Sequence, residues 1–569
     1  MVCFSIPLEA QTLRGVWIDT RSIPPTREEV KNLLGRLHRF GVNAVFVESF
    51  YQGETIYPSP FLASLGLHKQ RETFAQAGID PLQVFVEEAH RLSMEVHAWI
   101  HMFYISLNNP GGLLSLYPHW AVVNREGKPG YQSGNNFFFW LCPMEEEVEN
   151  FYLQLLTELA ERYPVDGIQL DYFRFPEFTL ADTCYAESHR KMFTEQYGID
   201  PLTLSPTENP QMYTEWTEFR SQQLTNFARH ITKALKEKFP KLTLSCAVKP
   251  MGFPLGLYPG TIQDWPIWGK EGLFDFLVPM TYSSRPAEFE GLLRWAGIFL
   301  EGTPFAPGIW TVNMNPESVL EEVKRAYHYP IRGVILFAYP YLNDDTFTLL
   351  AQGPFRRAPT EDKTFPPISF YQEKRRMVRA RSVTQTILID GALDEAVWQE
   401  ADWQKSFTTI TGEKASRDTS VAVLYDTENL YCAFRLTDVS SSSFEVQKRD
   451  GPVFYEPSIE VFLDPYGGKG IWYQIATNYG GVIYDSFSLR GPSFNGSWKV
   501  ATSFDSSSLT LAIEMALPFQ DLGKTPKRGE IWGANFYRNE PQAGELSGLS
   551  PIPGIYAAPT LLGQLLFEE

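Results

Sequence analysis

Over the first 350 residues, short apolar runs with a period of two alternate with longer stretches whose apolar positions recur every three or four residues. Leu13-Arg14-Gly15-Val16-Trp17-Ile18-Asp19 reads as a strand. Arg27 to Phe40 follows as a helix with Val30, Leu33, Leu34 and Leu37 on one face and Gly41 as its stop. Asn43 to Glu48 is strand two, with Glu48 on the Ala44/Phe46 face at its end. Asp80 to Leu92 opens with Asp-Pro, a cap followed by a first-turn proline. It leads to strand three, Glu95 to His101, where His97, Trp99 and His101 alternate with Val96, Ala98 and Ile100. A helix over Glu149–Tyr163 (Phe151, Leu155, Leu159) precedes strand four, and one over Thr214–Phe239 precedes strand five, Leu242 to Val248. Phe274 to Met280, Pro304 to Trp310 and Arg332 to Tyr339 complete the series. Eight strands alternating with helices predict an α/β fold, a (β/α)8 TIM barrel over residues 12–350.

Two regions break this alternation. Met102 to Met144 is too long for an ordinary connection, and its Tyr117-Pro118-His119-Trp120 and Phe137-Phe138-Phe139-Trp140 argue against disorder. Residues 351–381 are charged, proline-containing and aperiodic, and read as a linker. From Ile387, short alternating runs between turn residues predict an all-β sandwich domain over 382–569. Pro457 to Pro465 is its central strand, followed by Glu514–Phe519 and Trp532–Arg538.

A chain of 569 residues accommodates these domains, and its net charge of −18 disfavours nucleic acid or an anionic membrane as partner. No apolar stretch reaches transmembrane length. Cys3, Cys142, Cys184, Cys246 and Cys432 are scattered, with neither zinc spacing nor a disulfide framework. Met1 to Gln11 lacks a basic region and a long apolar core. The chain as written is therefore expected in the cytoplasm, or outside it if an export segment is missing.

The strongest chemical signal is Val165-Asp166-Gly167-Ile168-Gln169-Leu170-Asp171-Tyr172-Phe173-Arg174-Phe175-Pro176. On a strand, Gly167, Gln169 and Asp171 share one face. An amide and a carboxylate on a buried face are costly unless that face lines a site, and the carboxyl end of a barrel strand is the mouth. The plain alternative is an aspartate that caps a turn. Asp166 begins the strand at the opposite end and reads as structural. Arg174 supplies a cation to keep Asp171 charged. As a second carboxyl group, Asp264 and Glu48 rank level, ahead of Glu54 and then Asp19. His97 and His101 lie about 13 Å apart along a strand, too far for one metal, so no metal is assigned. His101, nearer the mouth, reads as a hydrogen-bonding contact for substrate and His97 as core. Trp99, Trp265, Tyr282, Trp310 and Tyr339, near predicted strand ends, are candidate substrate platforms, and Lys249 a candidate substrate contact.

Leu13–Trp17, the Tyr57-Pro58-Ser59 loop, Glu95–Trp99, Asp166–Asp171, Gln263–Trp265 and Val278-Pro279-Met280-Thr281-Tyr282 recur in the order found in the bacterial glycosyl-hydrolase-like family 10 proteins, which the first domain resembles. The resemblance implies a barrel acting on glycosidic bonds, with some members linked to peptidoglycan glycan strands. It also puts Asp264 in a family motif and Glu54 at a family acidic position. Similar proteins often carry Gln at the Glu48 position and Arg at that of Phe50. Gly308-Ile309-Trp310 offers no carboxylate where family 10 xylanases carry a glutamate, so their mechanism does not transfer. Ile389 to Trp398 and Pro457 to Pro465 resemble a family 9 carbohydrate-binding module. There Trp472, Tyr473 and Trp498 are candidate sugar-stacking residues. The resemblance admits calcium at acidic loops such as those of Asp390 and Asp394, and no cofactor is expected for catalysis.

The sequence thus predicts a glycoside hydrolase that cleaves O-glycosidic bonds in a polysaccharide or oligosaccharide, with peptidoglycan glycan as a candidate. Asp171 would be nucleophile or base, and Asp264 or Glu48 the acid. The alternative is a non-catalytic carbohydrate-binding protein. A second carboxyl group roughly 5–9.5 Å from Asp171 would separate the two.

Overall fold

The computed structural model describes residues 12–568 except 134, 177–182, 253–260, 357–360, 410–411, 440–444, 468–470, 489–493, 552–553 and 555–560. The Met1 to Gln11 reading lies outside the described residues. The chain forms two compact units, one running to Phe365 and one from Pro366, with Thr203–Glu218 counted in the second.

The first unit is the barrel. Its parallel strands are β1 (Leu13–Ile18), β2 (Ala44–Tyr51), β3 (Glu95–His101), β4 (Gly167–Asp171), β5 (Thr243–Val248), β6 (Phe276–Pro279), β7 (Gly308–Trp310) and β8 (Gly333–Phe337). They lie in the order β6-β5-β4-β3-β2-β1-β8-β7, and single parallel bridges, Leu277–Phe305 and Met280–Gly308, join β6 to β7. The predicted helices appear as Arg27–Arg39, Pro81–Arg91, Glu146–Arg162 and Pro210–Lys238. Asp80 caps its helix as expected, accepting from the Gln83 amide. β2 runs three residues past Glu48, with a bulge between Glu48 and Phe50, so Glu48 sits within its strand and not at the end.

A closed barrel has to fill its own interior. Leu13, Trp17, Phe46, Trp99, Phe276, Val278 and Ile335 form that core. His97 belongs to it, buried and stacked on Phe46 with ring centroids 4.5 Å apart. Gly167 makes room for His97: a Cβ there would lie 2.2 Å from Nδ1 and 2.8 Å from the Thr243 carbonyl oxygen. At the amino end, Asp166 accepts from the Val96 amide at 2.7 Å and contacts His90 at 2.9 Å, which is a structural role. The Met102–Met144 insertion is not a simple loop. It carries a three-stranded antiparallel sheet, with Asn136–Trp140 between Tyr104–Leu107 and Tyr131–Ser133.

The second unit is a β-sandwich. Ile483–Phe487, Tyr473–Asn478, Ser458–Asp464, Ile531–Glu540 and Gly563–Phe567 form one sheet. Thr419–Tyr425, Asn429–Leu436, Thr510–Pro518 and Lys499–Asp505 form the other. Strand Met377–Ser382 passes between them, pairing first with Gly563–Phe567 and then with Thr419–Tyr425. The stretch 351–381 is therefore less of a linker than its composition predicts, since it also contains a short helix, Ile368–Glu373. Trp472, Tyr473 and Trp498 are buried and not open sugar platforms. Trp472 packs on Phe462, Tyr473 stacks on Phe487 at 4.6 Å, and the Trp498 indole donates to Asp485 at 2.7 Å. Asp390 accepts from the Ala392 amide at 2.9 Å, and Asp394 is exposed.

Helix Pro316–Ala326 of the barrel buries Val319, Val323 and Ala326, and Glu322 with them. Neither Glu322 carboxyl oxygen has a hydrogen-bond partner. Burial, and then the charge of Glu288, push this carboxyl up to about 9 against the pull of Arg325. The unfolded chain ionises this group first, so stability falls as pH rises from the ordinary glutamate value towards about 9. Glu322→Gln removes that slope. It is expected to exceed the wild type in stability by roughly 1–3 kcal/mol at pH 8 and to match it near pH 4, as read from urea melts at both pH values.

Candidate active site

β4 delivers Asp171 to the carboxyl end of the barrel. Its side chain is buried and held from two sides. The Trp99 indole Nε1–H donates to Oδ2 at 3.0 Å, and the Tyr172 amide donates to Oδ1 at 2.6 Å. Tyr172 adopts φ 51°. That left-handed conformation costs a non-glycine residue about 1–3 kcal/mol, and here it accompanies the bond from the Tyr172 amide to the carboxylate.

His101 pairs with Asp171 across β3 and β4, so the imidazole and the carboxylate are same-face neighbours. On the other side, His101 Nε2 lies 3.1 Å from Glu48 Oε1, close enough for an ion pair but without the angle of a directional hydrogen bond. Glu48 also accepts from the Thr20 amide at 2.7 Å and from the Thr20 hydroxyl. Burial alone would raise the Glu48 carboxyl. The adjacent His101 and the Thr20 hydrogen bonds outweigh it and hold the group below the ordinary glutamate value. Glu48 is thus biased towards its ionised form, which suits a partner for the imidazole better than an acid. His101 Nδ1 is buried and has no hydrogen-bond partner, and the ring is packed among Tyr51, Trp99 and Tyr172 at centroid distances of 5.0, 4.8 and 4.6 Å.

Across the mouth, Tyr282, Trp310 and Phe337 form a ring cluster with centroid distances of 5.1 to 5.5 Å. Burial, and then the Asp171 charge, push the Tyr282 phenol well above its ordinary value, so it remains an O–H donor. Residues 12–296 match the family described as glycosyl hydrolase-like 10, and residues 389–549 match the carbohydrate family 9 binding domain-like family. The chain belongs to the glycosyl hydrolase-like 10 family. Glycosyl hydrolase DigH of Escherichia coli strain K12 is 26% identical over 328 residues, covering 50% of this chain and 70% of that protein. Glycosyl hydrolase YngK of Bacillus subtilis strain 168 is 23% identical over 315 residues, covering 50% of this chain and 57% of that one. Among solved structures, a family 9 carbohydrate-binding module from Caldicellulosiruptor kristjanssonii in complex with cellotriose is 15% identical, with a TM-score of 0.26, over 34% of this chain and 94% of that chain.

The other predicted site residues of this glycosyl hydrolase-like 10 chain divide clearly. Tyr282 and Trp310 are half-buried at the mouth, where a platform would be. Trp99 is fully packed and serves Asp171 as a donor, not a sugar as a platform. Trp265 is also buried. Its indole donates to the Lys249 carbonyl oxygen at 2.9 Å, and the Lys249 amide donates to Gln263, so both residues fix the loop after β5. Asp264 lies within electrostatic reach of Arg229, whose guanidinium forks onto Glu271 in the helix layer. Arg174 stacks over Tyr172 and Trp140 at 4.7 and 5.7 Å, while Asp171 takes its two hydrogen bonds elsewhere. Glu54 forms a surface cluster with His68 and Arg71. Asp19 caps the turn Thr20–Ser22, and Tyr339 accepts from Arg36 at 3.3 Å. Sequence reasoning missed Thr20, Tyr172 and Phe337. Only Tyr172, directly after the carboxylate, carried a signal.

Because the folded Glu48 carboxyl lies below its unfolded value, its pairing stabilises the protein above the ordinary glutamate range and is lost as pH falls through the folded value. Glu48→Gln is expected to lower stability by roughly 1–3 kcal/mol at pH 7, with the gap closing below about pH 4. Denaturant melts of both proteins across that range measure it.

Proposed function

We propose that this protein hydrolyses glycosidic bonds in a carboxylate-bearing polysaccharide, with peptidoglycan glycan strands as the leading candidate. The observation that carries this reading is the Asp171 carboxylate, fixed by two N–H donors at the mouth and next to the Glu48–His101 pair. Asp171 acts on the anomeric carbon as nucleophile, or on water as base. Glu48 and the surrounding rings hold the buried His101 imidazole beside Asp171, a positioning role. Tyr282 and Trp310 give the sugar an aromatic wall.

The family supports the reaction class. The substrate class draws support from the second unit, where a cavity of about 630 Å³ is lined in part by Lys405, Lys414, Arg417 and Arg435. Lys414 and Arg417 pair there with Asp418 and Glu540, so Lys405 and Arg435 are the cations that suit a glycan carrying acid groups. Work on wall glycan would place the protein outside the cytoplasm. The second reading, a carbohydrate-binding barrel without turnover, is favoured by one observation: Glu48, the carboxyl group found two strands from Asp171, is held ionised.

Reducing-end release from purified glycan strands and a panel of neutral polysaccharides decides between them. Asp171→Asn should abolish release while folding and glycan binding persist. His101→Gln should slow release while glycan binding persists, as expected of a group that positions Asp171. Binding without release by the wild type on every substrate would establish the second reading instead.

A further inference from the structure

Away from the mouth, the first unit gathers three donors that the sequence keeps far apart. Cys142 closes the insertion after β3, Cys184 lies in the connection after β4, and His189 is on helix Glu187–Tyr197. They are 1, 0 and 2% exposed, and one ligand atom from each lies within 4.8 Å of the others. Cys142 Sγ and His189 Nδ1 are 3.8 Å apart. A tetrahedral zinc site with Zn–S near 2.3 Å and Zn–N near 2.0–2.1 Å has sulfur-to-nitrogen edges of about 3.6 Å, so that separation is within a few tenths of an ångström of one edge. The remaining imidazole nitrogen, Nε2, faces Glu145 Oε1 at 3.1 Å. Glu145 stands at the N-cap of Glu146–Arg162 without capping it, which leaves its carboxylate for the histidine. A carboxylate behind a metal-facing imidazole is the usual outer support of a zinc histidine.

The geometry points to a zinc site, or one for a similarly thiophilic divalent cation, built from Cys142, Cys184 and His189 and backed by Glu145. Binding converts both thiols to thiolates and releases their two protons to solvent, with no change of oxidation state. The fourth position is left for water or an exogenous donor. The site staples the insertion to the connection after β4. These segments already meet through the Asn124–Thr183 bridge and the bond from the Tyr185 amide to the Val123 carbonyl oxygen. They also carry Tyr104, Trp140 and Tyr172, whose rings pack together beside His101. The metal would therefore hold one wall of the mouth without touching substrate, and its presence does not depend on the proposed hydrolysis.

The test uses the full chain, purified with reductant and supplied with zinc chloride or, separately, cobalt chloride. About one zinc per chain should survive gel filtration, and the cobalt form should show thiolate-to-cobalt charge transfer in the near ultraviolet. Chelation should lower the melting temperature, and all five cysteines should titrate as thiols in denaturant with chelator. Glu145→Gln should weaken zinc binding by roughly 10–100-fold with the fold intact, and Cys142→Ala should abolish it. Should Cys142→Ala not fold, the Glu145→Gln titration and the wild-type cobalt spectrum still decide. Metal-free chain without a cobalt band overturns the proposal. So does a thiol count two short in chain purified without reductant, with Cys142→Ala short of its own thiol alone, which would show Cys142 and Cys184 joined as a disulfide.

Discussion

Eight parallel strands closed on themselves turn half their side chains into a shared interior, where large side chains must interlock and polar ones are costly unless paired. This constraint shapes the first unit from one end to the other. At the amino end, His97, Phe46 and Phe276 fill the ring, and Gly167 is small because the imidazole occupies its side-chain space. One layer up, the Trp17 indole donates to Gln169 at 2.6 Å, and above it the Trp99 indole donates to Asp171. An indole is suited to this position, combining a large apolar body with a single donor. The residues that close the core are thus the ones that position the carboxylate, and core and site are one structure.

That coupling explains what the sequence made legible. Alternation along a strand needs only local information, and it put Gln169 and Asp171 on the inward face and separated Asp166 from them. Helical periodicity likewise located Arg27–Arg39 and Pro81–Arg91. The direction in which a side chain presents its polar atom is set by non-local packing. Trp99 and Trp265 therefore read as sugar platforms although their indoles are spent on Asp171 and the Lys249 carbonyl oxygen. The same limit applies to Trp472, Tyr473 and Trp498, whose aromatic character serves equally for stacking on sugar and for filling a sandwich. Glu48 was placed on the correct face but at the wrong distance from its strand end, because a bulge has no clear signature in a run of apolar residues. The Cys142–Cys184–His189 group was invisible, since its members meet only after two long connections have folded.

The charges at the mouth bear on the choice between turnover and simple binding. Glu48 is held ionised in a buried place, and the Asp171 charge reaches Tyr282 across the site. Keeping anions out of water is expensive, and a neutral sugar offers little to offset it, since its hydroxyls bind neutral acceptors as well. Glycosidic cleavage is different. Positive charge develops at the anomeric centre as the bond breaks, and fixed negative groups stabilise that charge more than they stabilise the ground state. The Tyr282 phenol, kept protonated by burial and the Asp171 charge, is the kind of donor a departing oxygen requires. Buried negative charge at the mouth suits that transition state, which is the physical ground of the proposed hydrolysis, while the ionised Glu48 leaves the leaving group's proton to another donor.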